Sequence, residues 1–112
     1  MSSLLAQRVY EAAHLTGSFL LRSGATSSEY FDKYRFEANP ALLKDIAEQL
    51  ATKISGDYDA LAGLEMGGIP IATMLSQSTG MPTLFIRKTA KEYGTCRYAE
   101  GGEVKGKRLL IV

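Results

Sequence analysis

The sequence predicts an α/β fold built on a parallel sheet. Residues 58–87 run as an apolar strand, a glycine turn, a helix-spaced stretch and a second apolar strand. Strand, helix and strand within roughly 30 residues is the size of one right-handed βαβ unit. Residues 107–112, Lys-Arg-Leu-Leu-Ile-Val, add a third run that reads as a buried strand. Between them, Asn39-Pro40 opens a helix whose apolar positions Leu43, Ile46, Ala47, Leu50 and Ile54 recur at helical spacing, with Gly56 as its stop. A capping side chain followed by proline at the first helical position is a strong start signal.

Taken in order, residues 3–15 read as a helix with Leu5, Val9 and Ala12 on one face and Gly17 as its stop. His14 sits on it as a surface or boundary residue. Residues 18–22 are a short apolar strand ending at Ser23-Gly24, and residues 26–31 a second extended piece. Tyr30, Phe31, Tyr34 and Phe36 lie close together. They fit a small aromatic core cluster, which composition favours, or a flat wall for a planar ring. Residues 58–64 are a buried strand. Residues 69–79 are a helix with Ile71, Met74 and Leu75 inward, closed by Gly80, and residues 83–87 are the next strand. Residues 88–106 form a long polar loop carrying Lys88, Lys91 and Arg97, which reads as mobile, basic and suited to phosphate. A structureless loop of this length inside a compact domain is more often functional than not.

The totals bound the possibilities. At 112 residues, 46% hydrophobic and 22% charged, the chain suits one globular domain rather than a disordered one. No apolar run approaches the roughly 20 residues of a membrane helix, and residues 1–8 lack the basic head and apolar stretch of a secretory signal. Cys96 is the only cysteine, so no internal disulfide forms and a reducing, cytoplasmic setting is expected. One Cys and one His do not make a zinc site, and no metal site is expected of the side chains. The net charge of +1 gives no pointer to nucleic acid, but its distribution is uneven: residues 1–86 sum to −3 and residues 87–112 to +4. Charge alone leaves open a solvated loop or a site for a multiply charged anion.

Residues 61–72, Leu-Ala-Gly-Leu-Glu-Met-Gly-Gly-Ile-Pro-Ile-Ala, place a glycine corner at a helix start, where unpaired N–H donors suit an anion. Ligands of a parallel sheet bind beyond the C-terminal ends of its strands. Here those ends are Glu65 and Arg87, so the corner and the basic segment share one edge. There is no Walker-type G-x-x-x-x-G-K-[ST] and no G-x-G-x-x-G. No serine sits at a strand-to-helix elbow, and Cys96 has no protease context.

In combination, the stretches 21–32 (Leu-Arg-Ser-Gly-Ala-Thr-Ser-Ser-Glu-Tyr-Phe-Asp), 63–70 (Gly-Leu-Glu-Met-Gly-Gly-Ile-Pro) and 85–94 (Phe-Ile-Arg-Lys-Thr-Ala-Lys-Glu-Tyr-Gly) resemble orotate phosphoribosyltransferases. The resemblance runs over nearly the whole chain. It implies a partial type I phosphoribosyltransferase fold, with helices on a parallel sheet and an N-terminal helix and short strands forming part of a hood. It divides a single incomplete domain into residues 1–37, the hood and base-binding segment, and residues 38–112, the first part of the α/β core. The implied reaction makes orotidine 5′-monophosphate and pyrophosphate from orotate and phosphoribosyl pyrophosphate (PRPP) in pyrimidine biosynthesis, with Mg²⁺ carried by the pyrophosphate.

The resemblance also implies roles. Arg22, Tyr30 and Phe31 fall on the orotate side. Glu65, Met66, Gly67 and Gly68 match the pyrophosphate loop. Arg87, Lys88 and Lys91 match the catalytic loop, which spans residues 87–106 and in the family reaches the partner's site in a homodimer. Neither nucleic acid nor a membrane is an implied partner. Gly67 stands where many members have lysine, so the loop is expected to work through backbone N–H groups of Gly67 and Gly68. Tyr93 stands where many have histidine, and the loop is longer through residues 95–102. A cis peptide is expected at Met66–Gly67. The family's ribose-phosphate motif would follow residues 109–112, so the chain alone is expected to have little or no transferase activity. The alternative is a non-catalytic, nucleotide-binding or regulatory module of the same fold.

Overall fold

The computed structural model describes residues 3–112. The chain forms two compact units, one through Asp45 and one over Ile46–Val112, with the boundary inside a helix.

In the first unit, α1 (Ser3–Ala13) passes directly into β1 (His14–Leu20), which pairs antiparallel with β2 (Thr26–Phe31). The helix therefore ends two residues before the expected Leu15, and Gly17 is not its stop. From His14 the backbone is drawn into the ladder instead: His14 lies opposite Phe31, and the Asp32 amide donates to the Ala13 carbonyl at 2.8 Å. Gly17, at φ +156°, falls where the register shifts between Thr16 and Phe19, a bulge position that favours glycine. His14 is half-buried, stacked on Tyr10 with centroids 4.5 Å apart and bonded to Glu29 at 3.0 Å. The hairpin closes through Leu21 and Ala25, with Gly24 at φ +89°. Arg22 thus sits in an exposed turn rather than at a strand end.

A short helix not anticipated from the sequence, α2 (Lys33–Glu37), follows, capped by the Asp32 carboxylate accepting from the Tyr34 amide at 3.2 Å. It buries Phe36 and Glu37, and Glu37 pairs with Lys33. Of the four clustered aromatics only Phe36 is buried; Tyr30, Phe31 and Tyr34 are 44%, 50% and 43% exposed. The aromatic core cluster is therefore not formed. Tyr30 and Phe31 belong to a two-stranded hairpin whose residues are mostly exposed, and so little apolar surface is available to cover them.

α3 (Pro40–Ala51) spans the unit boundary. Its start is as expected, with the Asn39 side chain accepting from the Leu42 amide at 3.1 Å. It ends at Ala51, before Gly56, because the chain turns through Lys53 and Ile54 amides bonded to Leu50 and Ala51 carbonyls.

The second unit holds a four-stranded sheet ordered β5-β4-β3-β6: β3 (Ala60–Leu64), β4 (Thr83–Ile86), β5 (Ala99–Glu100) and β6 (Leu109–Ile111). β3 is parallel to both β4 and β6. The βαβ expectation holds, with α4 (Ile69–Thr79) as the crossover and Gly80 closing it in the left-handed conformation at φ +77°. β5, inside the segment expected to be structureless, is antiparallel to β4. β6 is shorter than expected, with Ile111 59% exposed; among the described residues it pairs with β3.

The core of this unit rests on a close helix–sheet approach. Ala60, Leu61 and Ala62 of β3 are buried, as are Ala72 and Leu75 of α4. Ile71 and Met74 are only half-buried. The helix presents Ala72 rather than its larger neighbours because its contact on β3 is Gly63, where a Cβ would lie 2.9 Å from the Ala72 Cβ and 3.1 Å from the Gly68 carbonyl oxygen. Gly63→Ala is expected to force α4 away from β3 and cost about 1–3 kcal/mol, read as a lower urea midpoint at unchanged slope.

Candidate functional site: an anion-binding edge of the sheet

Leu64 and Ile86 are in register at the C-terminal ends of parallel neighbours β3 and β4. The next residues, Glu65 and Arg87, therefore leave the sheet side by side. The ladder continues one step: the Glu65 amide donates to the Ile86 carbonyl at 2.9 Å, and the Lys88 amide donates to the Glu65 carboxylate. Residues 65–68 form the turn into α4, closed by the Gly68 amide on the Leu64 carbonyl at 2.9 Å and the Ile69 amide on the Met66 carbonyl at 3.1 Å.

Two expectations for this turn are corrected. The cis peptide bond is Glu65–Met66, one bond earlier than Met66–Gly67. The N–H of Gly68 is engaged inside the turn, on Leu64, rather than presented to a ligand. Gly68 is required for a different reason: a Cβ there would lie 2.2 Å from the Val112 carbonyl oxygen and 2.9 Å from the Leu64 nitrogen. The turn is threaded between β3 and the end of β6, where only backbone fits. Met66 projects at the tip, 62% exposed.

Two cavities flank Arg87. One, of about 270 Å³, is lined by Leu64, Glu65, Ile86, Arg87, Lys88 and Tyr98. The other, of about 170 Å³, is lined by Glu65, Ile69, Phe85, Ile86, Arg87 and Glu100. A larger and mainly apolar cavity of about 300 Å³, beside Leu75 and Leu110, shares no residue with either.

The loop beyond Arg87 is organised. The Arg87 amide bonds the Tyr98 carbonyl at 2.9 Å, extending the β4–β5 ladder, and the Lys91 amide bonds the Arg97 carbonyl at 3.2 Å. Glu100, diagonal to Arg87 across this ladder, is within reach of its long side chain. Glu100 Oε2 lies 3.0 Å from Arg87 Nε and 2.7 Å from Lys91 Nζ. Lys91 is drawn in by this contact: its side chain is 16% exposed, and its ammonium stands 5.6 Å from the Tyr93 ring centroid. Arg97 does not join the anion edge. It braces the loop through Glu103 at 2.9 Å and the carbonyls of Ala99 and Gly102.

Among the residues expected at a site, Glu65, Arg87 and Lys88 thus line one cavity, and Lys91 joins Arg87 through Glu100. Arg22, Tyr30 and Phe31 lie in the first unit, Arg22 in its hairpin turn and the two rings on β2. Tyr30 stacks on Phe19 at 5.5 Å, and Phe31 is 6.2 Å from Phe36. Glu100 and Tyr98 were not anticipated. Their signal was a two-residue strand, too short to show alternation.

The shared carboxylate couples the charges. The hydrogen bond to Glu100 raises the Arg87 pKa above its ordinary value. Hydrogen bonds from Lys91 and then Arg87 lower that of Glu100 below the ordinary 4.5. A carboxylate with a lowered folded-state pKa contributes its stabilisation fully above the unfolded value and loses it as pH falls through the folded one. Ordering of residues 87–103 is therefore expected to persist above about pH 4.5 and fade below it. Amide hydrogen exchange of Arg87 and Lys91, whose N–H groups donate to the Tyr98 and Arg97 carbonyls, across pH 3–6 would show this acid limb, and Glu100→Gln would abolish it.

No protein-family model matches the chain. Over all 112 residues it is 49% identical to an orotate phosphoribosyltransferase of a Nocardioides species, of which it spans 63%. Among solved structures, the orotate phosphoribosyltransferase of Aeropyrum pernix superposes with a TM-score of 0.75 at 31% identity, over 96% of this chain and 62% of that one. The Mycobacterium tuberculosis orotate phosphoribosyltransferase in complex with PRPP superposes with a TM-score of 0.66 at 27% identity, over 96% and 60%. The chain therefore spans less than two thirds of these proteins' length. By sequence and by fold, the chain is similar to a part of the orotate phosphoribosyltransferases.

Proposed function

We propose that the protein containing this chain is an orotate phosphoribosyltransferase, transferring the phosphoribosyl group of PRPP to a ring nitrogen of orotate and releasing pyrophosphate. The observation that carries this reading is the convergence of Arg87, Lys88 and Lys91 with the Glu65–Gly68 turn at one edge of a parallel sheet. As the bond from the anomeric carbon to the diphosphate oxygen breaks, its electron pair stays with the diphosphate and the sugar gains oxocarbenium character. Fixed cations at the diphosphate favour that charge separation. Arg87, anchored by a ladder bond to Tyr98, and Lys88, anchored at its amide by the Glu65 carboxylate, supply two of them, and Lys91 on the loop supplies a third. A loop closing over the sugar would also keep water from the activated carbon.

Mg²⁺ enters this proposal with the substrate, bound to the diphosphate and adding positive charge to the leaving group. Among the described residues no group of three His, Cys, Asp or Glu side chains converges as a metal cage. Tyr30 and Phe31 offer exposed ring faces for orotate, and Arg22 a cation near it. The loop over residues 87–106 is proposed to complete the site of a second copy in a homodimer. The single Cys96 suits a cytoplasmic setting; none of the described helices is long and apolar enough to cross a membrane. The names of the relatives favour the enzyme over a non-catalytic binding module.

The test uses the full-length protein. Orotate- and PRPP-dependent formation of orotidine 5′-monophosphate is expected, and Lys91→Ala should lower kcat by about 10²–10³-fold with an unchanged melting temperature. Wild-type turnover in Lys91→Ala, or failure of the wild type to bind PRPP, would contradict the proposal.

A further inference from the structure

Glu100 bonds both Arg87 and Lys91 through one carboxylate oxygen. Lys91 Nζ is 2.7 Å from Glu100 Oε2, and its side chain is largely withdrawn from solvent. Lys91 lines neither cavity beside Arg87. To reach an anion there it must leave the carboxylate. Arg87 differs: it meets Glu100 through Nε, and its side chain lines both cavities while Glu100 lines only the smaller. It can keep its carboxylate partner and still face the larger space.

We propose that Glu100 is an internal competitor for the anion site, holding Lys91 back so that only a ligand of high charge displaces it. This rests on the phosphoribosyltransferase reading and adds to it a positioning residue that sets which ligands engage Lys91. A carboxylate carries one negative charge and a diphosphate several. Exchange of Lys91 from Glu100 to a diphosphate is favoured, whereas exchange to a monophosphate is close to balanced. Glu100 thereby acts as a charge threshold. It also orients Arg87, which is anchored at its amide to Tyr98 and at its Nε to Glu100.

The placement is built by the ladder. Phe85 opposes Glu100, and the next bonded step joins Arg87 to Tyr98, so Glu100 and Arg87 lie on one face of the hairpin. The Lys91 amide on Arg97 then returns the lysine to the same face. A second loop carboxylate, Glu103, is more exposed and pairs with Arg97 instead. It provides an internal control of equal charge.

Calorimetric titration of inorganic pyrophosphate and inorganic phosphate into the full-length protein tests the proposal. Glu100→Gln is expected to bind pyrophosphate about 10-fold tighter and phosphate about 3-fold tighter, because the ligand that draws Lys91 fully from Glu100 recovers the whole cost of that exchange. Its KM for PRPP should fall while kcat also falls, because pyrophosphate leaves more slowly. Glu103→Gln should change neither affinity by more than about 2-fold. Should Glu100→Gln fail to fold, Glu100→Asp, which keeps the charge but shortens its reach, is expected to tighten pyrophosphate about 2-fold. Unchanged or weaker binding in the folded Glu100 variant, or equal tightening in Glu103→Gln, would overturn the proposal and leave the function reading standing. A wild-type protein that binds neither pyrophosphate nor PRPP would overturn both.

Discussion

The alignment of Leu64 with Ile86 in neighbouring parallel strands underlies the rest of the candidate site. Parallel strands that end at the same level release their following residues on one edge, and here those residues are a carboxylate and a guanidinium. The ladder does not stop at the strand ends. Glu65 bonds Ile86 and its side chain accepts from Lys88, while Arg87 bonds Tyr98. Two backbone–backbone bonds and one from the Lys88 amide to the Glu65 carboxylate therefore set the directions of Glu65, Arg87 and Lys88. An anion site on such a foundation needs little reorganisation to receive charge.

Close packing beneath that edge comes from glycine and alanine. Gly63 lets α4 lie on β3 through Ala72, and Gly68 lets the turn slip past the end of β6. The two glycines of the corner read naturally as a phosphate cradle, yet the geometry at Gly68 is dictated by the sheet. This shifts the weight of anion recognition from the turn's N–H groups toward the side chains of Arg87, Lys88 and Lys91. It accords with the absence of a lysine at Gly67, since the loop on the adjacent strand already carries the positive charge.

That charge is largely answered within the loop. Glu100 takes Arg87 and Lys91 together, and Glu103 takes Arg97. Arg87, Lys91 and Arg97 are therefore paired within the loop rather than presented as an open positive surface. The same pairs give the loop a defined shape in place of the structureless segment its composition suggests.

Much of the architecture was legible in the residues. Asn39-Pro40 and Gly80 marked helix boundaries through capping and φ preference, which are local. The apolar runs at 58–64 and 83–87 announced parallel neighbours, and the resemblance in residues 63–70 and 85–94 pointed to Glu65, Arg87, Lys88 and Lys91. Tertiary structure decided what local signals could not carry. It ended α1 at Ala13, because pairing between His14 and Phe31 outweighed helical continuation. It left Tyr30 and Phe31 exposed, because a two-stranded hairpin covers little. It made β5 from two residues, because their partner was Phe85 and Ile86 rather than any pattern of their own. Through that pairing it set Glu100 against two cations that lie thirteen and nine positions before it. Sequence determined which groups could hold a polyanion, since that depends on residue type and strand order. Only the folded chain determined which carboxylate pairs with them, since that depends on contacts across a ladder.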